Sequence, residues 1–74
     1  MTTRAHAADI GSALSRLRRS AGLSQVELAK RARISRSAVA TIEGGRYRSP
    51  KVETLEALAG ALKVEVSEFF RGAA

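Results

Sequence analysis

The feature that most constrains the fold of this 74-residue chain is a pair of short helical segments with almost no chain between them. The run SQVE at residues 24–27 fits a capping box, in which a Ser and a Glu three residues later start a helix. Ser35 can cap a second helix, which must end at the glycines 44–45. Only residues 33–34 separate the two helices. Helices joined by so tight a turn cannot lie antiparallel, so we expect them to cross steeply.

Such a crossing is the geometry of a helix-turn-helix, which needs a small residue where the two helices meet. Ala29 fits that point, because a larger side chain there would push the second helix away. Val39 and Ile42 are spaced to anchor the underside of the second helix. The remaining residues of that helix are then expected to face outward.

Three further helical segments are predicted around this pair, and no segment alternates as a strand does. The first follows a possible cap at Asp9 and stops at Gly22. The longest apolar stripe follows Ser49, a possible cap, and Pro50, which would occupy the first helical position. Ser67 can cap a last helical turn. The chain is therefore predicted to form an all-α, compact five-helix domain.

We expect this domain to span residues 9–71, with a flexible N-terminal tail at residues 1–8 and a C-terminal tail at residues 72–74. A chain this short buries only roughly 60% of its unfolded surface, which leaves little room for a catalytic cleft. It contains no cysteine, and its single histidine, His6, lies in an unpatterned stretch. We therefore expect no enzyme activity, no cofactor and no metal site.

The basic residues are concentrated in the first part of the chain. The sequence has 13 Lys and Arg against 7 Asp and Glu, a net charge of +6. Residues 1–48 hold ten bases and three acids, a net +7, whereas residues 49–74 hold three bases and four acids, a net −1. Ten of the thirteen bases are Arg, whose planar guanidinium matches both phosphate and the edge of guanine. A polyanion is the expected partner.

No apolar run approaches the roughly 20 residues that a membrane helix needs. The first ten residues also lack the apolar core of a signal peptide. We expect a soluble, cytoplasmic protein that does not interact with membranes.

Several motifs together resemble the lambda-repressor-like (Xre-type) DNA-binding family. The matching residues are the LSQVELA run at 23–29, Ile34-Ser35, Val39, Ile42, Glu43, Gly45 and Leu62-Lys63-Val64. The resemblance covers about residues 14–70, and the combination is far more specific than a lone SQxxLA would be. One position departs from the pattern, since Arg33 stands where the family usually has Gly. If the turn still needs a positive φ there, Arg33 costs roughly 1 kcal/mol or more.

The resemblance implies that the second helix of the pair enters the DNA major groove. It assigns base reading to Arg36, Ser37, Ala40 and Thr41. Arg36 is the strongest candidate, because Arg can donate two hydrogen bonds to guanine, although Arg36 could instead hold a phosphate. The resemblance assigns phosphate contacts to Gln25, Arg16, Arg19, Arg46, Tyr47, Arg48 and Ser49. Gln25 would also brace the first residue of the recognition helix.

A separate pair of matched positions is interpreted as structural. Arg18 and Glu43 correspond to an ion pair that joins the first and third helices in several members of the family. We therefore assign Arg18 to the fold and not to DNA.

The C-terminal segment carries a group of large apolar residues. These are Val64, Val66, Phe69 and Phe70. One Phe should fill the core against Leu58 and Leu62, but so thin a domain cannot easily bury both. We predict a homodimer interface here, which would place two recognition helices about 34 Å apart on one side of a duplex. A monomer with an apolar end is the alternative.

The resulting prediction is a homodimeric, sequence-specific regulator of transcription, acting as a repressor or autoregulator at a two-fold symmetric operator. Small relatives of this kind include phage Cro-like repressors, controller proteins of restriction-modification systems and regulators of mobile elements. The chain leaves no room for a ligand-sensing module, so we expect regulation through its own concentration. An antitoxin that binds a partner protein through the C-terminal apolar residues is the second hypothesis. Non-specific nucleoid or RNA binding is the third.

Overall fold

The structure, a computed structural model, describes residues 7–46 and 50–71, with the backbone alone for residues 7–9. The described residues form four α-helices and one turn of 3₁₀ helix, and they contain no strand. The helices are α1 (Ala7–Ser20), α2 (Gln25–Ala32), α3 (Arg36–Glu43) and α4 (Val52–Leu62), followed by the 3₁₀ helix (Val66–Phe70). The all-α class is confirmed, but the prediction of five α-helices is wrong.

The last predicted helix is a 3₁₀ helix and not an α-helix. It is only five residues long, and its hydrogen bond joins residues three apart, as in other short 3₁₀ segments. The amide of Glu68 donates to the carbonyl of Glu65 at 3.0 Å. Ser67 therefore lies inside this turn and does not cap it, since Glu65 occupies the N-cap position.

The two helices of the central pair begin where the sequence predicts. The amide of Glu27 donates to Oγ of Ser24 at 3.0 Å, and the amide of Ser24 donates to Oε1 of Glu27 at 2.8 Å. This is the complete capping box. At the start of α3 the amide of Ala38 donates to Oγ of Ser35 at 3.0 Å. Both predicted caps are confirmed.

The other two helix starts differ from the prediction. Helix α1 begins at Ala7, so Asp9 lies in its first turn and the predicted boundary at residue 9 falls inside the helix. Helix α4 begins at Val52, because Lys51 still has an extended backbone and Pro50 precedes it. Ser49, the predicted cap, lies outside the described residues.

Each α-helix ends in the same kind of turn, in which one residue adopts a left-handed conformation. At the ends of α1 and α3 that residue is Gly22 and Gly45, with φ of 73° and 72°. At the ends of α2 and α4 it is Arg33 and Lys63, each with φ of 59°. The tight turn between α2 and α3 therefore keeps the positive φ without a glycine. A cation at a helix C-terminus is favoured by the helix dipole, which offsets part of the strain.

All four α-helices and the 3₁₀ helix contribute residues to one apolar core. Helix α1 packs against α3 and the 3₁₀ helix, whereas α2 packs against both α3 and α4. The largest fully buried side chains are Phe69, Leu14, Leu28, Ile42, Leu58 and Val39. Two of these six belong to α3, so the core holds the underside of that helix.

Helix α1 also contacts α3 directly through its backbone. A Cβ atom on Gly11 would lie 2.3 Å from the carbonyl oxygen of Ile42 and 2.7 Å from that of Glu43. Both distances are far below van der Waals contact, so only glycine allows this approach. The sequence gives no sign of this role, since a glycine within a helix is ordinarily a source of instability.

We predict that Gly11→Ala lowers the free energy of unfolding by about 2 to 3 kcal/mol, because the new methyl group forces α1 away from α3. Gly60→Ala is the matched control, since a Cβ on Gly60 in α4 would meet nothing within 4 Å. That control should gain roughly 0.5 to 1 kcal/mol from helix propensity. Denaturant melts of both variants make the measurement. Equal gains in the two variants would contradict the close approach.

Candidate nucleic-acid interface

Helix α3 presents two different faces. Val39 and Ile42 are buried in the core, as the sequence predicts. The four predicted base-reading residues lie elsewhere on the helix. Arg36 and Ser37 are exposed, and Ala40 and Thr41 are half-buried. Helix α3 therefore carries its polar and small residues on the side that the core leaves open.

Exposed arginines lie on the elements next to α3. Arg16 and Arg19 are exposed on α1, and Arg46 is exposed directly after α3. The charge of Arg19 contributes to the lowered pKa of Glu43, after the larger contributions of Arg18 and Gln25. Within the described parts of the chain, no ion pair or hydrogen bond engages these three side chains or that of Arg36. Tyr47, Arg48 and Ser49 lie outside the described residues.

The predicted ion pair between α1 and α3 is present in bidentate form. Nε of Arg18 donates to Oε2 of Glu43 at 2.6 Å, and Nη2 donates to Oε1 at 3.1 Å. Nη1 of Arg18 donates to the carbonyl oxygen of Leu23 at 2.8 Å, in the turn before α2. The two charged side chains are only 12% and 8% exposed. Two parallel hydrogen bonds between Arg and a carboxylate fix geometry as well as charge.

Gln25 joins the same cluster. Its Nε2 donates to Oε1 of Glu43 at 3.0 Å, so this one oxygen accepts hydrogen bonds from both Gln25 and Arg18. The resemblance implies that Gln25 braces the first residue of the recognition helix. In the structure, Gln25 instead contacts the other end of this helix, α3, because its partner Glu43 is the last residue of α3. We call Arg18, Glu43 and Gln25 the three-helix cluster, because each comes from a different helix.

The environment of the cluster favours the charged form of Glu43. Burial acts to raise the pKa of Glu43, but the hydrogen bonds from Arg18 and Gln25 and the charges of Arg18 and Arg19 outweigh it and lower this pKa. The hydrogen bond to Glu43 raises the pKa of Arg18 above its already high value. The two side chains thus remain ionised at neutral pH.

The C-terminal apolar residues divide between core and surface. Phe69 is 1% exposed and belongs to the core, whereas Phe70 is 40% exposed. Val64 and Val66 are half-buried and pack against the core. The assignment of Phe69 to a dimer interface is therefore wrong, because the 3₁₀ turn directs only one of two adjacent aromatic side chains inward. Phe70 is therefore the exposed member of the group, and Val64 and Val66 are only partly exposed.

Neither a metal site nor a membrane-spanning helix is found among the described residues. No group of three or more His, Asp or Glu side chains could hold a metal ion within residues 7–46 and 50–71. Over those same residues, none of the helices is both long and apolar enough to cross a membrane.

The chain is similar to known proteins in both sequence and structure. A family profile described as a helix-turn-helix domain matches residues 9–69. The chain is 47% identical over 58 residues to the immunity repressor protein of Bacillus phage phi105, a match that covers 78% of this chain and 40% of that repressor. The chain thus spans less than half the length of this relative.

Solved structures show the same fold. The restriction-modification controller protein C.AhdI from Aeromonas hydrophila is similar with a TM-score of 0.82 and 36% identity, over 86% of this chain and 96% of that one. The master regulator of biofilm formation SinR, solved in complex with DNA, is similar with a TM-score of 0.79 and 30% identity, over 82% and 97% of the two chains.

We predict that Arg18→Ala lowers the free energy of unfolding by about 3 kcal/mol, because it leaves the carboxylate of Glu43 buried without its charge partner. Arg16→Ala is the control, since Arg16 is exposed on the same helix and should change stability by less than about 0.5 kcal/mol. Thermal melts of the two variants decide the assignment. Equal melting points would show that the ion pair does not hold the fold.

Glu43 should also make the fold sensitive to acid. Its pKa lies below the ordinary value of 4.5 in the folded protein, so its contribution to stability is present above that value. The contribution is lost as the pH falls through the lowered pKa, because in that range the unfolded state binds a proton more readily than the folded state. In Glu43→Gln, the free energy of unfolding should fall less between pH 7 and pH 3 than in the parent chain. Denaturant melts across this range make the comparison, and identical slopes would rule the contribution out.

Proposed function

This chain belongs to the lambda-repressor-like (Xre-type) helix-turn-helix family, and on that premise we propose that it binds double-stranded DNA sequence-specifically and represses transcription. The observation that carries the proposal is the two-sided character of α3. Its underside is buried in the core, while its outer side holds a guanidinium, two hydroxyls and a methyl group. Such a helix fits the major groove, which presents a distinct pattern of donors and acceptors for each base pair.

We assign base reading to the outer side of α3. Arg36, the first residue of α3, is exposed and could donate two hydrogen bonds to O6 and N7 of guanine. Ser37 and Thr41 carry hydroxyl groups that can donate or accept, and Ala40 could contact the methyl group of thymine. These four side chains would carry the sequence specificity.

The surrounding residues are assigned to the DNA backbone. Such contacts set the register of the protein on the duplex and supply affinity, but they do not read sequence. The exposure of Arg16, Arg19 and Arg46 supports this role, because none of the three forms an ion pair or a side-chain hydrogen bond within the described residues. The full set of proposed phosphate contacts is Gln25, Arg16, Arg19, Arg46, Tyr47, Arg48 and Ser49.

We further propose that the protein acts as a homodimer on a two-fold symmetric operator in the cytoplasm, without a cofactor and without catalysis. The exposed Phe70, with the partly exposed Val64 and Val66 of the same segment, supports a self-complementary apolar patch. A two-fold axis through this patch would present two copies of α3 to successive major grooves, about 34 Å apart.

The same patch also suits a second function. An exposed Phe on a small domain is a feature of surfaces that bind other proteins. The chain could therefore act as an antitoxin or a similar interaction module, with DNA binding as an additional activity. Purification from native cells separates the two cases, because an untagged partner in stoichiometric amounts would favour the interaction module. A homodimer alone would favour the regulator.

The main test is the selection of random duplex DNA by the purified protein, followed by footprinting and by salt titrations on selected and scrambled sites. A two-fold symmetric consensus with half-sites about one helical turn apart would support the proposal. If the affinity for every duplex is the same and falls with salt concentration at the same slope, sequence specificity is refuted and the surface is a general electrostatic one. Binding to RNA in preference to duplex DNA would also refute it.

We predict that Arg36→Ala lowers affinity for the selected site by about 1 to 3 kcal/mol and relaxes the base preference at one position of each half-site. The matched control is Arg46→Ala, another exposed Arg next to the same helix. It should weaken binding to all sequences alike and reduce the salt slope by about one for each half-site. A change of base preference in Arg46→Ala, or none in Arg36→Ala, would reverse the two assignments. Competition binding against a panel of single-base variants measures both.

A further inference from the structure

The three-helix cluster joins a structural ion pair to a residue proposed to contact DNA. Oε1 of Glu43 accepts from Nη2 of Arg18 at 3.1 Å and from Nε2 of Gln25 at 3.0 Å. Gln25 is the first residue of α2, and Glu43 is the last residue of α3. The carboxylate therefore ties the start of one helix to the end of the next.

The chemistry of this contact determines which way the carboxamide of Gln25 points. An ionised carboxylate can only accept hydrogen bonds, so the group that faces Glu43 must be the NH₂ of Gln25. That nitrogen carries two hydrogens, and Glu43 uses one of them. The second hydrogen keeps a fixed direction, because the first is held. A Gln side chain that is not ordered in advance loses rotamer freedom when it binds, which weakens the binding.

Arg18 has a separate effect on the same site. A bare carboxylate next to Gln25 would repel a phosphate, since both carry negative charge. The bidentate guanidinium of Arg18 neutralises Glu43 and leaves the local charge balanced. The ion pair thus allows an acidic side chain to hold Gln25 without opposing an anion beside it.

We propose that Glu43, neutralised by Arg18, is a positioning residue for DNA binding, which orders the carboxamide of Gln25 and directs its second N–H to a backbone phosphate. This inference rests on the proposed function, because it requires that Gln25 contacts DNA. It gives the ion pair a role in affinity beyond its role in the fold. Neither Glu43 nor Arg18 needs to touch DNA for this effect.

The test replaces the whole ion pair without a change of net charge. Arg18→Met combined with Glu43→Leu substitutes apolar side chains of similar size, a replacement that proteins often tolerate without loss of stability. Gln25→Ala alone should lower the affinity for the selected duplex by about 10- to 150-fold for each half-site, the loss of one hydrogen bond to a charged group. The double variant should lose a similar factor. Adding Gln25→Ala to the double variant should then cost less than about twofold, since interacting positions are not additive.

A matched control removes the other ion pair of the described residues. Arg71 and Glu68 form an exposed pair at 3.0 Å on the 3₁₀ helix and the residue after it. Arg71→Ala with Glu68→Ala also preserves net charge, and it should leave the full cost of Gln25→Ala intact. If Gln25→Ala loses its effect in this control as well, the coupling does not depend on Glu43 and the proposal is wrong.

A second readout needs no variant that risks unfolding. The sequence contains one Gln and no Asn, so Gln25 carries the only side-chain carboxamide of the protein. Its NH₂ group gives a single pair of signals in a ¹H–¹⁵N spectrum, which identifies it without further assignment. In the free parent protein the order parameter of this group should be above about 0.8, comparable to rigid backbone. The pair should then shift when the selected duplex is added.

The outcomes separate this inference from the proposed function. If duplex DNA shifts no signal in the spectrum, the proposed function fails. If DNA shifts backbone signals while the Gln25 NH₂ pair is mobile, with an order parameter below about 0.6, the positioning role fails alone. It also fails if the full effect of Gln25→Ala persists in the folded Arg18→Met, Glu43→Leu variant.

Discussion

The orientation of α3 depends on a single carboxylate that is nearly enclosed by protein. Glu43 closes the last turn of α3 onto α1 through Arg18 and onto α2 through Gln25. Arg18 must be present, because an enclosed charge without its opposite charge costs several kcal/mol, on the order of 3 to 5. The same end of α3 lies against the backbone of α1 at Gly11. Hydrogen bonds and a close backbone contact therefore both fix the C-terminal end of α3. The buried side chains of Val39 and Ile42 fix the rest of the helix against the core.

Local chemistry explains why much of this fold could be predicted from the sequence. Ser24 with Glu27, and Ser35, satisfy amides that helix formation leaves without partners, and such caps act within three or four residues. Apolar spacing identified the buried side of α3 for the same local reason. The ion pair of Arg18 and Glu43 was found only through the resemblance to a family, because its partners are 25 residues apart.

The features that were missed depend on contacts between elements. Nothing near Gly11 in the sequence reveals that two carbonyl oxygens of α3 lie against it. The choice between Phe69 and Phe70 depends on how the 3₁₀ turn packs against the core, which buries one side chain and leaves the other exposed. Several residues near Pro50 could start α4, and the helix begins at Val52 because Lys51 keeps an extended backbone. The bond between Gln25 and Glu43 was missed because the carboxylate already had a partner in Arg18.

The separation of the two sides of α3 has a consequence for how such a protein can evolve. The residues that hold the helix in place are Gly11, Val39, Ile42 and Glu43, whereas Arg36, Ser37, Ala40 and Thr41 form no side-chain hydrogen bond or ion pair within the described parts of the chain. Substitution on the outer side therefore costs little stability. The outer side of α3 can therefore change through many combinations of side chains while the residues that hold the helix stay constant. Duplicated copies of one gene can then diverge in what they recognise without passing through variants that fail to fold.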